Sequence, residues 1–279
     1  NEQTSFESIF MSLKRYKDKI NMIVKFLEEE QKIVMESETT RVEFENNSDK
    51  VVVLPIGSTE QHGPHLPLGV DSYIAEDIAK HLAKLTDIII APTITYGYKS
   101  KPLSGGGPLF KGTIDLNGET LIHLVTDILC EFARDGFNKI FIENAHFENQ
   151  AFIEEAMDLA TAQFPKLKVV QSNWWDVLDQ KTVDEIFKDV PFPGWALEHA
   201  AITETSLMMY LEPDLVRTEL MPTEVKAQAL PYSVYPARHD LVPDCGVLAS
   251  PVGSTKEKGK LIVDKAIEGF IKIFKKEFN

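Results

Sequence analysis

The chain has 279 residues, with 43 Asp and Glu against 29 Lys and Arg, giving a formal charge of -14 at pH 7. That excess repels phosphodiester backbones and anionic lipid heads, and no Lys/Arg-rich patch with interleaved aromatics offsets it, so the expectation is no nucleic acid and no membrane partner. No window reaches the ~18 to 20 continuous apolar residues of a membrane-spanning helix, and Cys130 and Cys245 form neither a metal-spaced pair nor a disulfide framework, which fits a reducing cytoplasm.

Taken in chain order, Phe6, Ile9, Phe10, Leu13, Ile20, Ile23, Val24 and Leu27 recur at helical spacing, which predicts one or two amphipathic helices over residues 5–35. Lys14, Arg15, Lys17 and Lys19 interrupt that stripe, so it is neither a signal nor an anchor. Residues 1–46 read as an amphipathic helical extension and 47–279 as a single domain, introduced by a turn at Asn46-Asn47-Ser48-Asp49. The run Val51 to Ile56 is β-branched and unbroken, as in a strand buried on both faces.

Gly57 to Asp71 then sets two carboxylates and two imidazoles in a span without helix-forming character. Glu60 and His62 stand at i and i+2, the same side of an extended segment. Gly63, Pro64, Pro67 and Gly69 break regular structure, letting the chain swing Asp71 back toward the same point. Taken singly each polar residue could belong to an ordinary surface loop; together they are spaced as metal ligands. Their place after a strand is where open α/β sheets bind ligands.

A helix is expected over 72–85 and a strand over 87–91. Ser104-Gly105-Gly106-Gly107-Pro108 lets backbone amides approach a ligand closely, although the absence of a following Gly-Lys-Ser/Thr argues against a phosphate cradle. A helix over 119–134 ends at Gly136, and a strand over 139–142 leads into Asn144-Ala145-His146-Phe147-Glu148-Asn149, where His146 and Glu148 repeat the i, i+2 spacing. A helix over 149–163 and a strand over 168–171 precede the pair Trp174-Trp175. Thr203 to Tyr210 reads as a helix, 222–251 as Pro-rich loops, and 256–274 as a final helix with Leu261, Ile262, Ala266, Phe270 and Ile273 inward. The alternation predicts a three-layer α/β/α sandwich with a largely parallel sheet. Glu60, His62, Asp71, His146 and Glu148 together suit Zn²⁺ or Mn²⁺, with Mg²⁺ possible on the same donors, and make a two-metal centre if one carboxylate bridges.

These two segments resemble the creatininase family, whose Glu-x-His-Gly-x-His-x-Pro and Asn-x-His segments they match, the similarity running from about Val51 to the C-terminus. The resemblance implies one metal on Glu60, Asp71 and His146 and another on His62, Asp71 and Glu148, with Asp71 bridging. Many related deformylases and amidases carry Gly-Gly after the distal His, whereas Phe147-Glu148 is similar to creatininase proper. There the aromatic is usually Tyr, so Phe147 removes a hydroxyl near the substrate.

The segment Pro193-Gly194-Trp195-Ala196-Leu197-Glu198-His199-Ala200 carries the resemblance further. It implies that Glu198 and His199 sit beside the metals as proton-transfer groups and that Trp195 closes over a flat heterocycle, with Trp175, or less readily Trp174, as the opposite face. Ser104 would reach the ligand, His65 would brace the loop, and the assembly would be a homo-oligomer, hexameric by family. The plainer alternatives are that the tryptophans are core residues and that Glu198 merely starts a helix.

The implied reaction is opening of a cyclic amide: a water activated on the metals attacks the carbonyl, Gly105 to Gly107 or a metal holds the oxyanion, and His199 carries a proton to the leaving nitrogen. Creatinine and creatine are the expected pair. The competing readings are a metal amidase for another cyclic or N-formyl amide and a non-catalytic binding protein on the same fold.

Overall fold

The five strands are β1 (Val34–Met35), β2 (Val51–Ile56), β3 (Ile88–Ile90), β4 (Lys139–Asn144) and β5 (Lys168–Asn173). In this computed structural model, which describes residues 33–100, 107–225, 227, 230–236 and 238–278, they form one sheet in the order β1-β3-β2-β4-β5. Every pairing is parallel. β2 is buried along its whole length, as its Val-rich, non-alternating sequence requires of a strand covered on both faces.

The helices are α1 (Arg41–Glu45), α2 (Val70–Ala83), α3 (Gly118–Arg134), α4 (Gln150–Gln163), α5 (Gln180–Ile186), α6 (Ile202–Leu211) and α7 (Lys256–Glu277). One face of the sheet meets Ile74 and Ile78 of α2, Val183 of α5, Leu207 of α6 and Ile262 and Phe270 of α7 around Val53 and Phe141. The other meets Leu121, Val125 and Leu129 of α3 and Ile153 and Ala156 of α4 around Val52, Leu54 and Ile142. Alternate residues of each strand thus feed separate cores, and the molecule has the expected α/β/α layering.

The predicted strands and the five longer helices form within a few residues of their expected bounds. Two short elements were not anticipated. α1 is started by a capping box in which Thr40 and Glu43 satisfy each other's backbone amides, and α5 by Asp179 accepting from the Thr182 amide; both are too short to show periodicity. Val34 and Met35, expected at the end of a helix, pair instead with Ile89 and Ile90 on the sheet edge. The helical expectation for residues 5–32 lies outside the described residues.

From β2 the chain moves to β3 on one side, whereas β4 lies on the other. The carboxyl ends of β2 and β4 therefore flank the point where strand order reverses, and both polar segments leave the sheet there.

Candidate metal centre

Gly57, the first residue beyond β2, sets the geometry. A Cβ there would stand 2.4 Å from the Ser72 nitrogen and 2.6 Å from the Asp71 carbonyl carbon, so only glycine lets the first turn of α2 rest against the strand exit. Asp71, in that turn, is brought back over the end of β2. The loop between is closed by the Glu60 amide donating to the Leu68 carbonyl at 2.9 Å and by His65, whose Nε2 lies 2.9 Å from Thr205 Oγ1 on α6. From the β4 side, Asn149 Nδ2 donates to the Gly57 carbonyl at 3.0 Å and to Asn144 Oδ1 at 3.1 Å, while its Oδ1 accepts from the Tyr98 amide at 2.8 Å. One amide side chain thus ties both strand exits together.

Glu60, His62, Asp71 and His146 converge, each almost wholly buried. His146 Nδ1 lies 3.3 Å from Glu60 Oε1 and 3.0 Å from Asp71 Oδ2. His62 Nε2 lies 3.1 Å from Asp71 Oδ1 and 3.6 Å from Glu204 Oε2. The two oxygens of Asp71 therefore face different imidazoles. The remote nitrogens fix the tautomers: His146 Nε2 is 2.9 Å from the Tyr98 carbonyl and His62 Nδ1 is 3.2 Å from the Glu60 carbonyl. Each carbonyl can only accept, so in the neutral imidazoles Nδ1 of His146 and Nε2 of His62 are the atoms left free to bind a cation.

Glu60 with Asp71 and His146, and His62 with Asp71 and Glu204, form two groups whose ligand atoms lie within 4.8 Å of one another. Glu60 with His62 and His199 forms a third. Glu148 is in none of these groups among the described residues; its Oε2 stands 3.5 Å from His146 Nε2, the other edge of that ring. Where the sequence reading put Glu148 beside His62 and Asp71, the structure places Glu204, whose position in the first turn of α6 aims it at His62. Glu204 carried no signal of its own in the sequence, since a Glu in Thr-Glu-Thr at a helix start reads as capping.

The donors fit a divalent cation better than they fit each other. Glu60 Oε2, His62 Nε2 and Asp71 Oδ2 are buried without a hydrogen-bond partner, an expensive state for polar atoms. Burial opposes charge on both imidazoles, yet Asp71 and Glu204 push His62 up to about 10, and Glu60 and Asp71 hold His146 well above its ordinary value. Burial, with the Asp71 charge and against His62, raises Glu204 to about 8. Asp71 is held well below the usual carboxylate range by His62 and His146 despite its burial. The cluster thus gathers protons to offset crowded carboxylates, which a bound divalent ion would do without them.

The centre floors a pocket that also includes Phe147, Glu148, Trp174, Trp175, Trp195, Glu198 and His199. Ring centroids are 5.9 Å apart for Phe147 and Trp175, 5.3 Å for Trp174 and Trp175, and 5.9 Å for Trp174 and Trp195. All three tryptophans line the pocket, although Trp174 and Trp175 are also buried in the core. Glu198 fits the helix-start alternative: Oε2 accepts from the Thr203 amide and hydroxyl at 2.8 and 2.6 Å in the first turn of α6, while Oε1 is buried without a partner. Burial raises Glu198 to about 7 against those two hydrogen bonds and lowers His199 to about 4. Ser104, with Gly105 and Gly106, lies outside the described residues.

A family model for creatininase, described as creatinine amidohydrolase, matches residues 36–274. Creatinine amidohydrolase from Pseudomonas putida is 37% identical over 256 residues, covering 88% of this chain and 98% of the relative. Mycofactocin precursor peptide peptidase from Mycobacterium tuberculosis is 30% identical over 237 residues, covering 79% and 83%. Among solved structures, a creatininase described as the Mn form and a mutant creatininase of Zn-Zn type each align with a TM-score of 0.85 at 36% identity, covering 88% of this chain and 99% of the other.

Proposed function

The chain belongs to the creatininase family of hydrolases, and from that premise we propose that it opens a cyclic amide at a two-metal centre, interconverting creatinine and creatine. The observation that carries this reading is the sharing of Asp71 by two donor groups in a pocket lined by aromatic side chains. Glu60, Asp71 and His146 would hold one ion and His62, Asp71 and Glu204 the other, zinc or manganese by donor type. Bound there, the ions supply a water of lowered pKa and polarise the scissile carbonyl.

The remaining roles belong to side chains. Trp195 and Trp175 sandwich a flat ring, excluding water and orienting its carbonyl toward the floor of the pocket. His199 moves a proton to the leaving ring nitrogen, and Glu198, raised by burial to about 7, exchanges that proton near neutrality. Glu148, beside His146 Nε2, orients that ligand and takes part in the proton traffic. The free thiols of Cys130 and Cys245 accord with a reducing compartment such as the cytoplasm, and family membership with a homo-oligomer.

The second reading, a metal amidase for another cyclic or N-formyl amide, draws on Phe147, which offers the pocket an exposed ring and no hydroxyl. Metal-loaded protein should convert creatinine to creatine and run the reverse reaction from creatine. Protein that leaves both untouched while hydrolysing another amide would remove the creatinine assignment and keep the hydrolase; protein that binds no divalent ion would remove both.

A further inference from the structure

Gln61 stands between two of the ligand residues, and its own atoms hold His199. His199 Nε2 lies 2.8 Å from the Gln61 main-chain carbonyl, an oxygen that can only accept, so Nε2 must donate. Gln61 Nε2 also lies 3.2 Å from His199 Nε2. A bare Nε2 could accept from that amide, but it would then set its lone pair against the carbonyl at 2.8 Å. The shorter, acceptor-only contact therefore decides the tautomer.

The side chain of Gln61 is itself fixed. Its Oε1 accepts from the Gly63 amide at 2.9 Å and its Nε2 donates to the Gly246 carbonyl at 2.8 Å; a flipped amide would face donor with donor and acceptor with acceptor. Gly246 has φ of +74°, and a Cβ there would stand 2.0 Å from Gln61 Oε1, so the loop carrying Gly246 is shaped around this side chain. The backbone amide of Gln61 is anchored too, donating to Thr113 Oγ1 at 3.1 Å. On the far side of the imidazole, His199 Nδ1 faces Glu60 Oε1 at 3.5 Å, at the floor of the pocket.

We propose that Gln61 is a positioning residue that keeps the proton of neutral His199 on Nε2, so that the atom presented to the reaction is a bare Nδ1. The role of Nδ1 rests on the hydrolytic reading above; its tautomer does not. As water oxygen bonds to the amide carbon, Nδ1 takes the proton released, and as the carbon–nitrogen bond breaks it gives that proton to the leaving nitrogen. The ring ends neutral with Nε2–H in place. Without the clamp the imidazole would rotate or exchange tautomers, and the proton would be carried on the wrong edge.

The test uses full-length zinc-loaded protein labelled with ¹⁵N and ¹³C in histidine, the His199 signals being assigned by their loss in His199→Gln. The expected spectrum is that of the neutral Nε2–H form; an Nδ1–H form overturns the proposal without any variant of Gln61 being needed. Gln61→Ala and Gln61→Glu keep the main-chain carbonyl but disrupt the side-chain bonds to Gly63 and Gly246 that hold it against His199. They should then show mixed tautomers at His199 and a kcat lowered roughly 10- to 100-fold, as for other residues that orient a working group, with KM within about twofold and metal content unchanged. Variants that keep the native kcat, or that lose metal in step with it, overturn the positioning role. The expected tautomer in a protein that hydrolyses no cyclic amide would sink the hydrolytic reading alone.

Discussion

Adding one methyl at Gly57 should dismantle the centre. The Cβ of alanine would meet the Ser72 nitrogen at 2.4 Å and the Asp71 carbonyl carbon at 2.6 Å, where ordinary contact begins at 3.4 Å, so the first turn of α2 must retreat by about 1 Å. Asp71 now faces His62 at 3.1 Å and His146 at 3.0 Å. Moving it by about that distance takes its oxygens out of joint reach of two cations that need bonds of about 2.0 to 2.2 Å. A displacement of that size costs roughly 100-fold in rate, and overpacking a core costs about 1 to 3 kcal/mol.

Metal per chain, creatinine turnover and thermal midpoint would be measured for Gly57→Ala beside Gly136→Ala. At Gly136 φ is +97° but nothing lies within 4 Å of a Cβ. That control should lose about 1 kcal/mol to backbone strain and keep its metal and turnover. Gly57→Ala with native metal content and native turnover would refute the claim that this close approach places Asp71.

Other outcomes follow from the same geometry. Chelation should lower the thermal midpoint by about 5 to 10 °C, since ligand at 100 times its Kd stabilises by about 2.7 kcal/mol and a chain of this size shifts about 2 to 4 °C per kcal/mol; calorimetry with EDTA, then added Zn²⁺ or Mn²⁺, checks it. Glu204→Gln should reduce bound metal from two ions to one per chain, and elemental analysis showing two would remove Glu204 from the ligand set. Glu143 is fully buried with neither carboxylate oxygen partnered, and burial pushes it up from 4.5 to about 8. The native state therefore holds a proton that the unfolded state releases, so this group's contribution is full at low pH and is lost, at about 1.4 kcal/mol per pH unit, as pH rises from 4.5 through 8. In urea titrations Glu143→Gln should abolish that decline; an unchanged slope would contradict it. Phe147→Tyr should lower KM for creatinine, because the ring already borders the pocket beside Trp175; a raised KM would show that the pocket has no use for a hydroxyl there.

Much of the sheet was legible because it is parallel and covered on both faces, so β2, β4 and their neighbours read as unbroken apolar runs. Glu60, His62 and Asp71 were legible because they crowd into one Gly- and Pro-broken loop directly after such a run. His146 repeated the pattern. The spacing could not show that Glu148 would meet the far edge of His146, since a turn of 3-10 helix over Phe147–Asn149 replaces the extended chain on which i and i+2 share a side.

By itself the sequence determined the layered fold, the two strand exits that carry the centre, and the donor types that suit a divalent ion. These depend on local periodicity and on short stretches of chain. Tertiary structure alone decided that Glu204 joins His62 and Asp71, that Asn149 ties the two strand exits together, and that Gln61 holds His199. The packing of α2 and the segment leading into α6 on one face of the sheet brings Glu204 and His199 to the exit of β2, and the pairing of β2 with β4 brings Asn149 there; none of these approaches is set by neighbouring sequence.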